Sequence, residues 1–259
     1  MDLNTVAEVI SPAEVGQWRP GDAWLGGGTA LFGEPRPHLS RLLDLTASGW
    51  PALTLRDDTL EIAATCTIAE LAASDYPIAL KCCQAFLASF KIWNVATVGG
   101  NLCAALPAGP MISLGSALDG VCLVLGPDGS REVPVADFVT GDGTTVLEDG
   151  ELLRSITIPM SALTADFALR QGSLHPYGRS GVLLIGRRKA EGMVLAVTAA
   201  TKRPYVLRFP TMPNAEVVQI ALSERIPHDA YVNDIHGLPA WRRHLTRLYA
   251  EEIRQELAA

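Results

Sequence analysis

Apolar residues along the chain come in short runs bounded by glycine and proline, the pattern of strands interleaved with brief helices. Ser11-Pro12-Ala13-Glu14 sets a capping hydroxyl, a proline at the first helical position and an acid three residues after the cap, so a short helix starts at Ser11 and stops before Pro20-Gly21. Trp24-Leu25 then runs into Gly26-Gly27-Gly28-Thr29, and a second extended run follows at 41–45. Residues 52–55 and 60–64 flank Asp57-Asp58 as a hairpin. The box Thr67-Ile68-Ala69-Glu70 opens one helix and Pro77 a second, on which Ala79, Cys83, Phe86, Leu87 and Phe90 make a single apolar stripe. A second glycine-bearing loop spans 93–101 and leads into a stretch of small residues up to Leu118. Strands are expected at 121–125 and 132–135, about the turn Pro127-Asp128-Gly129, and at 152–158.

From Asp166 the pattern turns into a meander at 167–171, 182–188, 193–199 and 205–209, which reads as an antiparallel sheet. Helices follow near 215–223 and from Pro239, where Trp241, Leu245, Leu248, Tyr249, Ile253 and Leu257 mark the face to be buried. The sum is an α+β fold with a boundary near 165. The charge distribution supports that boundary: residues 1–165 carry 8 Lys+Arg against 19 Asp+Glu, and residues 166–259 carry 13 against 9.

At 259 residues and 48% hydrophobic content the chain buries a substantial core without disulfide or metal staples. Its formal charge of −7 argues against nucleic acid as a partner. No apolar run approaches the roughly 20 residues of a membrane span, and Met1-Asp2-Leu3-Asn4 lacks a secretory pattern, so a cytoplasmic location is expected. The five cysteines include no CxxC pair, which points to small buried hydrophobes and away from zinc or iron–sulfur ligation. The five histidines have no metal-ligand spacing, and no GxSxG is present. The clusters Arg187-Arg188-Lys189 and Lys202-Arg203 are expected to flank strands in water.

The chemistry therefore rests on the glycines. Three in succession after a strand lose much conformational entropy on folding, and the gain is a backbone that anionic oxygens can approach, with the Thr29 hydroxyl as a further donor. A tight turn packed on the sheet explains the same residues. No lysine follows, which excludes a P-loop, and no GxGxxG opens a helix. Thr97-Val98-Gly99-Gly100-Asn101 repeats the chemistry about 70 residues on. Two such loops suit a diphosphate held from two sides, its charge met by backbone dipoles because basic side chains are scarce in this half.

These residues resemble the FAD-binding medium subunits of the molybdenum hydroxylases, the xanthine dehydrogenase and carbon monoxide dehydrogenase family. The likeness lies in Gly26-Gly27-Gly28-Thr29-Ala30-Leu31 and Thr97-Val98-Gly99-Gly100-Asn101, and extends to Asp44-Leu45-Thr46, Asp137-Phe138, Gly141, Glu151-Leu152-Leu153, Ile156-Thr157-Ile158-Pro159 and Trp241-Arg242-Arg243-His244. It implies a two-lobed FAD-binding domain over 1–165, with lobes of about 1–56 and 57–165, and a smaller domain of antiparallel strands and helices over 166–259. It implies that Leu25, Gly26, Gly27, Gly28, Thr29, Ala30 and Leu31 cradle the FAD diphosphate together with Ala96, Thr97, Gly99, Gly100 and Asn101. By the same resemblance Leu153 packs near the flavin, and Arg170 stands where some members carry a lysine beside it, a cation that would favour anionic reduced flavin. Where many members have an acid nine residues beyond the loop asparagine, this chain has Pro110, and Ala30 replaces an acid in the first loop. The implied role is an oxidoreductase subunit that takes electrons from [2Fe-2S] clusters in a small partner subunit, within a dimer of heterotrimers whose large subunit holds the molybdenum cofactor. A free-standing flavin oxidoreductase and a structural or assembly subunit without FAD are the alternatives.

Overall fold

The computed structural model describes residues 3–11 and 15–259, so Pro12-Ala13-Glu14 of the helix start expected at Ser11 lies outside the described residues. The chain opens with β1 (Glu8–Ile10), β2 (Asp22–Leu25) and β3 (Arg41–Asp44), a parallel sheet in the order β1-β3-β2. Its fastening is ionic, because the Arg41 guanidinium donates to both Asp22 oxygens at 2.9 and 2.6 Å and to the Gln17 carbonyl at 2.8 Å. Both side chains are buried, so the bidentate geometry and the extra acceptor are what offset their desolvation.

Next come β4 (Leu53–Arg56) and β5 (Thr59–Ala63), turned at Asp57, and then five helices: α1 (Ile68–Ala72), α2 (Pro77–Ala85), α3 (Phe90–Trp93), α4 (Val98–Cys103) and α5 (Pro110–Ala117). The expected box at Thr67 is present, with Glu70 accepting from the Thr67 amide at 2.8 Å and Thr67 from the Glu70 amide at 3.1 Å. The stripe expected on one helix does not hold. Helix α2 ends at Ala85, Leu87 takes a left-handed backbone (φ +43°), and Phe90 begins the separate α3 with 73% of its surface exposed. Likewise the second glycine loop is a helix start: Thr97 caps α4, and Gly99 and Gly100 lie in its first turn. Helix α5 is buried on every side, which is why its small residues carry no periodicity to read.

Strands β6 (Val121–Gly126) and β7 (Gly129–Pro134) form the expected hairpin, followed by α6 (Val135–Phe138), the pair β8 (Val139–Gly141) and β9 (Thr144–Thr145), and β10 (Leu152–Pro159). The five-stranded sheet runs β4-β5-β10-β6-β7, every pairing antiparallel.

After α7 (Met160–Leu163), strands β11 (Phe167–Gly172), β12 (Val182–Arg188), β13 (Met193–Thr198) and β14 (Tyr205–Phe209) make the expected antiparallel meander, covered by α8 (Ala215–Arg225) and α9 (Pro239–Ala258). Two expectations here are corrected. Leu248 faces solvent (45% exposed), and the buried face of α9 runs through Arg242, Thr246, Ala250, Ile253 and Leu257. Arg187 is buried, donating to the Ala117 carbonyl at 3.1 Å and pairing with Asp119, so it fastens the meander to the end of α5. The apolar core crosses the same seam, with Ile185 and Ala196 packed among the residues of the larger sheet and its helices.

Candidate dinucleotide-binding site

The two glycine segments meet. A Cβ on Gly27 would stand 1.7 Å from the Val95 carbonyl oxygen, and one on Gly26 would stand 3.0 Å from Thr97 Oγ1. The bend after β2 thus lies directly on the chain entering α4, an approach that only glycine permits. On the other side, a Cβ on Gly99 would come within 2.5 Å of the Ala64 Cβ, so Gly99 seats α4 against the end of β5. The sequence did not separate these packing roles from ligand roles.

The segments also divide the work unequally. In α4 the first amides are spent within the protein: Val98 N donates to Cys66 O at 2.8 Å, Gly99 N to Ala64 O at 2.9 Å and Gly100 N to Thr97 Oγ1 at 3.0 Å. In the first bend, the amides of Gly27, Gly28, Thr29 and Ala30 donate to no protein acceptor among the described residues. Gly28 takes a left-handed backbone (φ +71°), the conformation in which glycine is at ease. Among the described residues the amides without an acceptor are therefore in the first bend, while the second segment brings the Thr97 hydroxyl, which accepts from Gly100 N and donates to no described acceptor.

Three adjoining clefts share Gly26 and Thr97. The first, about 190 Å³, is lined by Trp24, residues 26–31, Arg36, Gly100 and Cys103. The second, about 240 Å³, is the most apolar and holds Leu45, Ala64, Gly99 and Leu153. A β-bulge in β10 between Leu153 and Ser155 parts Leu153, directed to this cleft, from Arg154, whose guanidinium stacks 4.1 Å over the Trp50 ring. The third, about 470 Å³, is lined by Leu25, Phe32, Asp44, Trp50 and Glu70. Acids border the second and third clefts, where Arg131 holds the Glu151 carboxyl below the usual range through bonds of 2.8 and 2.7 Å.

Of the residues expected at the site, Leu25, Gly26, Gly27, Gly28, Thr29, Ala30, Leu31, Thr97, Gly99, Gly100 and Leu153 line these clefts. Three do not. Ala96 is buried, its carbonyl accepting from Ile68 N at 2.9 Å. Asn101 turns away, its Oδ1 accepting from Met111 N at 3.1 Å, and borders a separate hollow with Tyr177 and Arg179. Arg170 is engaged by Glu252 and Glu256 of α9, both at 2.7 Å. Pro110, in place of an acid, is buried at the first position of α5. The cysteines carry no nucleophile signal: burial pushes the thiols of Cys66 and Cys83 up to about 12. Among the described residues no cluster of three or more His, Cys, Asp or Glu is placed to hold a metal, and no helix is long and apolar enough to cross a membrane.

Among the described residues two buried donors of the first cleft lack partners, Trp24 Nε1 and Arg36 Nε. Unpaired buried donors are rare in folded proteins, and beside four free amides they fit an anionic ligand at this bend. Fold and cleft together define an anion-binding protein of mixed α+β architecture. Residues 6–161 match the FAD binding domain of molybdopterin dehydrogenases. The chain belongs to that family, whose members are oxidoreductase subunits and whose cofactor is FAD. Over 74 residues it is 35% identical to the carbon monoxide dehydrogenase medium chain of Afipia carboxidovorans and 32% identical to the glyceraldehyde dehydrogenase medium chain of Sulfolobus acidocaldarius. Each alignment covers 29% of this chain and 26% of the relative, so the match spans about a quarter of those proteins. The fold is that of a chain of reconstituted CO dehydrogenase from Oligotropha carboxidovorans (TM-score 0.84, 20% identity, 98% of each chain). A chain of quinoline 2-oxidoreductase from Pseudomonas putida 86 is also similar (TM-score 0.79, 21% identity, 100% of this chain and 98% of that one).

Proposed function

We propose that this chain is the flavoprotein subunit of a molybdenum hydroxylase-type complex, binding FAD along the three clefts and passing electrons from [2Fe-2S] clusters of a small partner subunit to an external acceptor. The reading is supported by the bend at 26–30, where four amides without an acceptor among the described residues belong to residues that line a cleft with Thr97. Bound there, the isoalloxazine would supply the redox chemistry, accepting electrons singly and releasing them as a pair. The chain supplies position and environment. The first bend fixes the diphosphate, Thr97 closes the seam, and Leu153 offers an apolar wall that keeps water from one side of the site.

The chain does not carry the whole reaction. Its five cysteines include no ligand set for iron–sulfur clusters, and four of them are buried. We therefore assign the clusters and the molybdenum cofactor to a small and a large partner subunit, in a cytoplasmic dimer of heterotrimers, with residues 1–165 as the FAD domain and 166–259 as the second domain. The test is purification of the native complex under anaerobic conditions, followed by reduction through the large subunit. Bleaching of the flavin spectrum after the iron–sulfur signals, and its return on adding an acceptor, is the expected course. A chain that purifies alone with flavin and oxidises a substrate unaided would make it a free-standing oxidoreductase. A complex whose medium chain never carries flavin would make it an assembly subunit.

A further inference from the structure

Residues 1–165 contain eight basic side chains. Five are in ion pairs: Arg19 with Glu8 and Asp22, Arg41 with Asp22, Arg56 and Arg154 with Glu61, and Arg131 with Glu151. Among the described residues Lys81, Lys91 and Arg36 have no ion pair, and of the described basic residues Arg36 alone lines any of the three clefts. It lies in the cleft lined by Gly27 to Ala30, whose amides have no acceptor among the described residues, while Asp44 and Glu70 border the third cleft and Glu151 the second.

Arg36 is also held there. Pro35 precedes it and Pro37 follows it, and a residue before proline is confined to extended backbone. Its carbonyl accepts from Leu39 N at 3.0 Å, closing a turn that leads into β3. Among the described residues the side chain has no carboxylate partner, and its Nε is shut off from solvent without an acceptor. A guanidinium without an ion pair among the described residues, in a chain half with 19 acids and lining one cleft with backbone donors that lack described acceptors, is a site arranged for an anion.

We propose that Arg36 is the electrostatic anchor of the cofactor's diphosphate and a positioning residue for the dinucleotide. This rests on the FAD reading above and deepens it, because it assigns to a side chain the charge neutralisation that the sequence left to backbone dipoles. Trp24 Nε1, the other unpartnered donor of that cleft, is neutral and adds a hydrogen bond without charge.

The test uses the full chain stripped of flavin, titrated with FAD and with riboflavin, which lacks phosphate, across a range of salt concentrations. The measurements are flavin fluorescence and thermal melting. For Arg36→Gln the expected result is roughly 10- to 100-fold weaker FAD binding. The salt dependence of its affinity should flatten, while riboflavin binding and the melting temperature stay as in the wild type, since Arg36 makes no ion pair. Arg36→Lys should restore the salt dependence and only part of the affinity, because the ammonium lacks the guanidinium fork. Wild-type FAD affinity and salt slope in Arg36→Gln would overturn the proposal, as would an equal loss for riboflavin, which would mark a structural role. A wild-type chain that binds no FAD would instead sink the FAD reading itself, so the two failures are told apart.

Discussion

The contact between the two glycine segments makes Gly27→Ala a severe change for its size. Its new methyl would sit 1.7 Å from the Val95 carbonyl oxygen, against an ordinary contact of about 3.4 Å, so the chains must part by about 1.7 Å. Nothing flexible absorbs that, because the obstacle is backbone and Ala96, next to it, is tied to α1 through Ile68 N. Overpacking of this kind costs about 1–3 kcal/mol, or roughly 3–10 °C in melting temperature for a chain of this length. The same displacement moves the free amides of residues 27–30 away from Thr97, so flavin should be lost as well. Gly100→Ala is the control. Its Cβ would meet only Thr97 Oγ1, at 2.9 Å, and the first-turn helical position suits alanine, so the fold should hold while the methyl intrudes between the first and second clefts. Flavin absorbance after gel filtration, with melting curves of both variants, measures the two effects. A Gly27→Ala protein with normal flavin content and an unchanged melting temperature would refute the seam.

Three further outcomes follow from the packing. Arg242→Met should cost about 3–5 kcal/mol in urea unfolding, because the buried guanidinium bridges the carbonyls of Gly181, Ala199 and Gly237 at 2.6, 2.7 and 3.0 Å and all three would lose their donor. Arg41 lowers the Asp22 pKa chiefly by hydrogen bonding, so this pair stabilises the fold above the unfolded carboxyl's pKa and that contribution is lost as pH falls through the depressed value; Asp22→Asn should flatten the acid limb of a stability–pH curve and leave neutral-pH behaviour free of titration. Asp119→Asn, read by limited proteolysis, should loosen the meander from α5 because Arg187 and Arg208 both pair with Asp119; an unchanged digestion pattern would count against that fastening.

Much of the architecture was readable because local chemistry and tertiary structure agree there. The box at Thr67, the turn at Pro127-Asp128-Gly129 and the meander after Asp166 each carry their own signal, and each stands as expected. Misreadings fall where long-range packing decides. The periodicity through Phe90 looked continuous, but Leu87 breaks it with a left-handed backbone, and Leu248 sits at helical spacing yet outside the arc that α9 buries. At the site, glycine runs at Gly26 and Gly99 were legible as close approaches, although their nearest neighbours are Thr97 and Ala64 and no ligand atom is needed to explain them. Arg36 was missed because a lone arginine in a loop has no pattern; its flanking prolines in an arginine-poor segment were the available sign. Arg170 was placed by resemblance alone, and the two acids of α9 that engage it lie more than 80 residues away, beyond any local reading.

The central claim is that the bend at residues 26–30, backed by Thr97, grips the diphosphate of FAD. The most direct measurement is calorimetric titration of the flavin-stripped chain with FAD, repeated in the presence of ADP and with riboflavin alone. One FAD per chain, displaced by ADP and not replaced by riboflavin, is the predicted result. Riboflavin binding as tightly as FAD, or FAD binding that ADP leaves untouched, would contradict it.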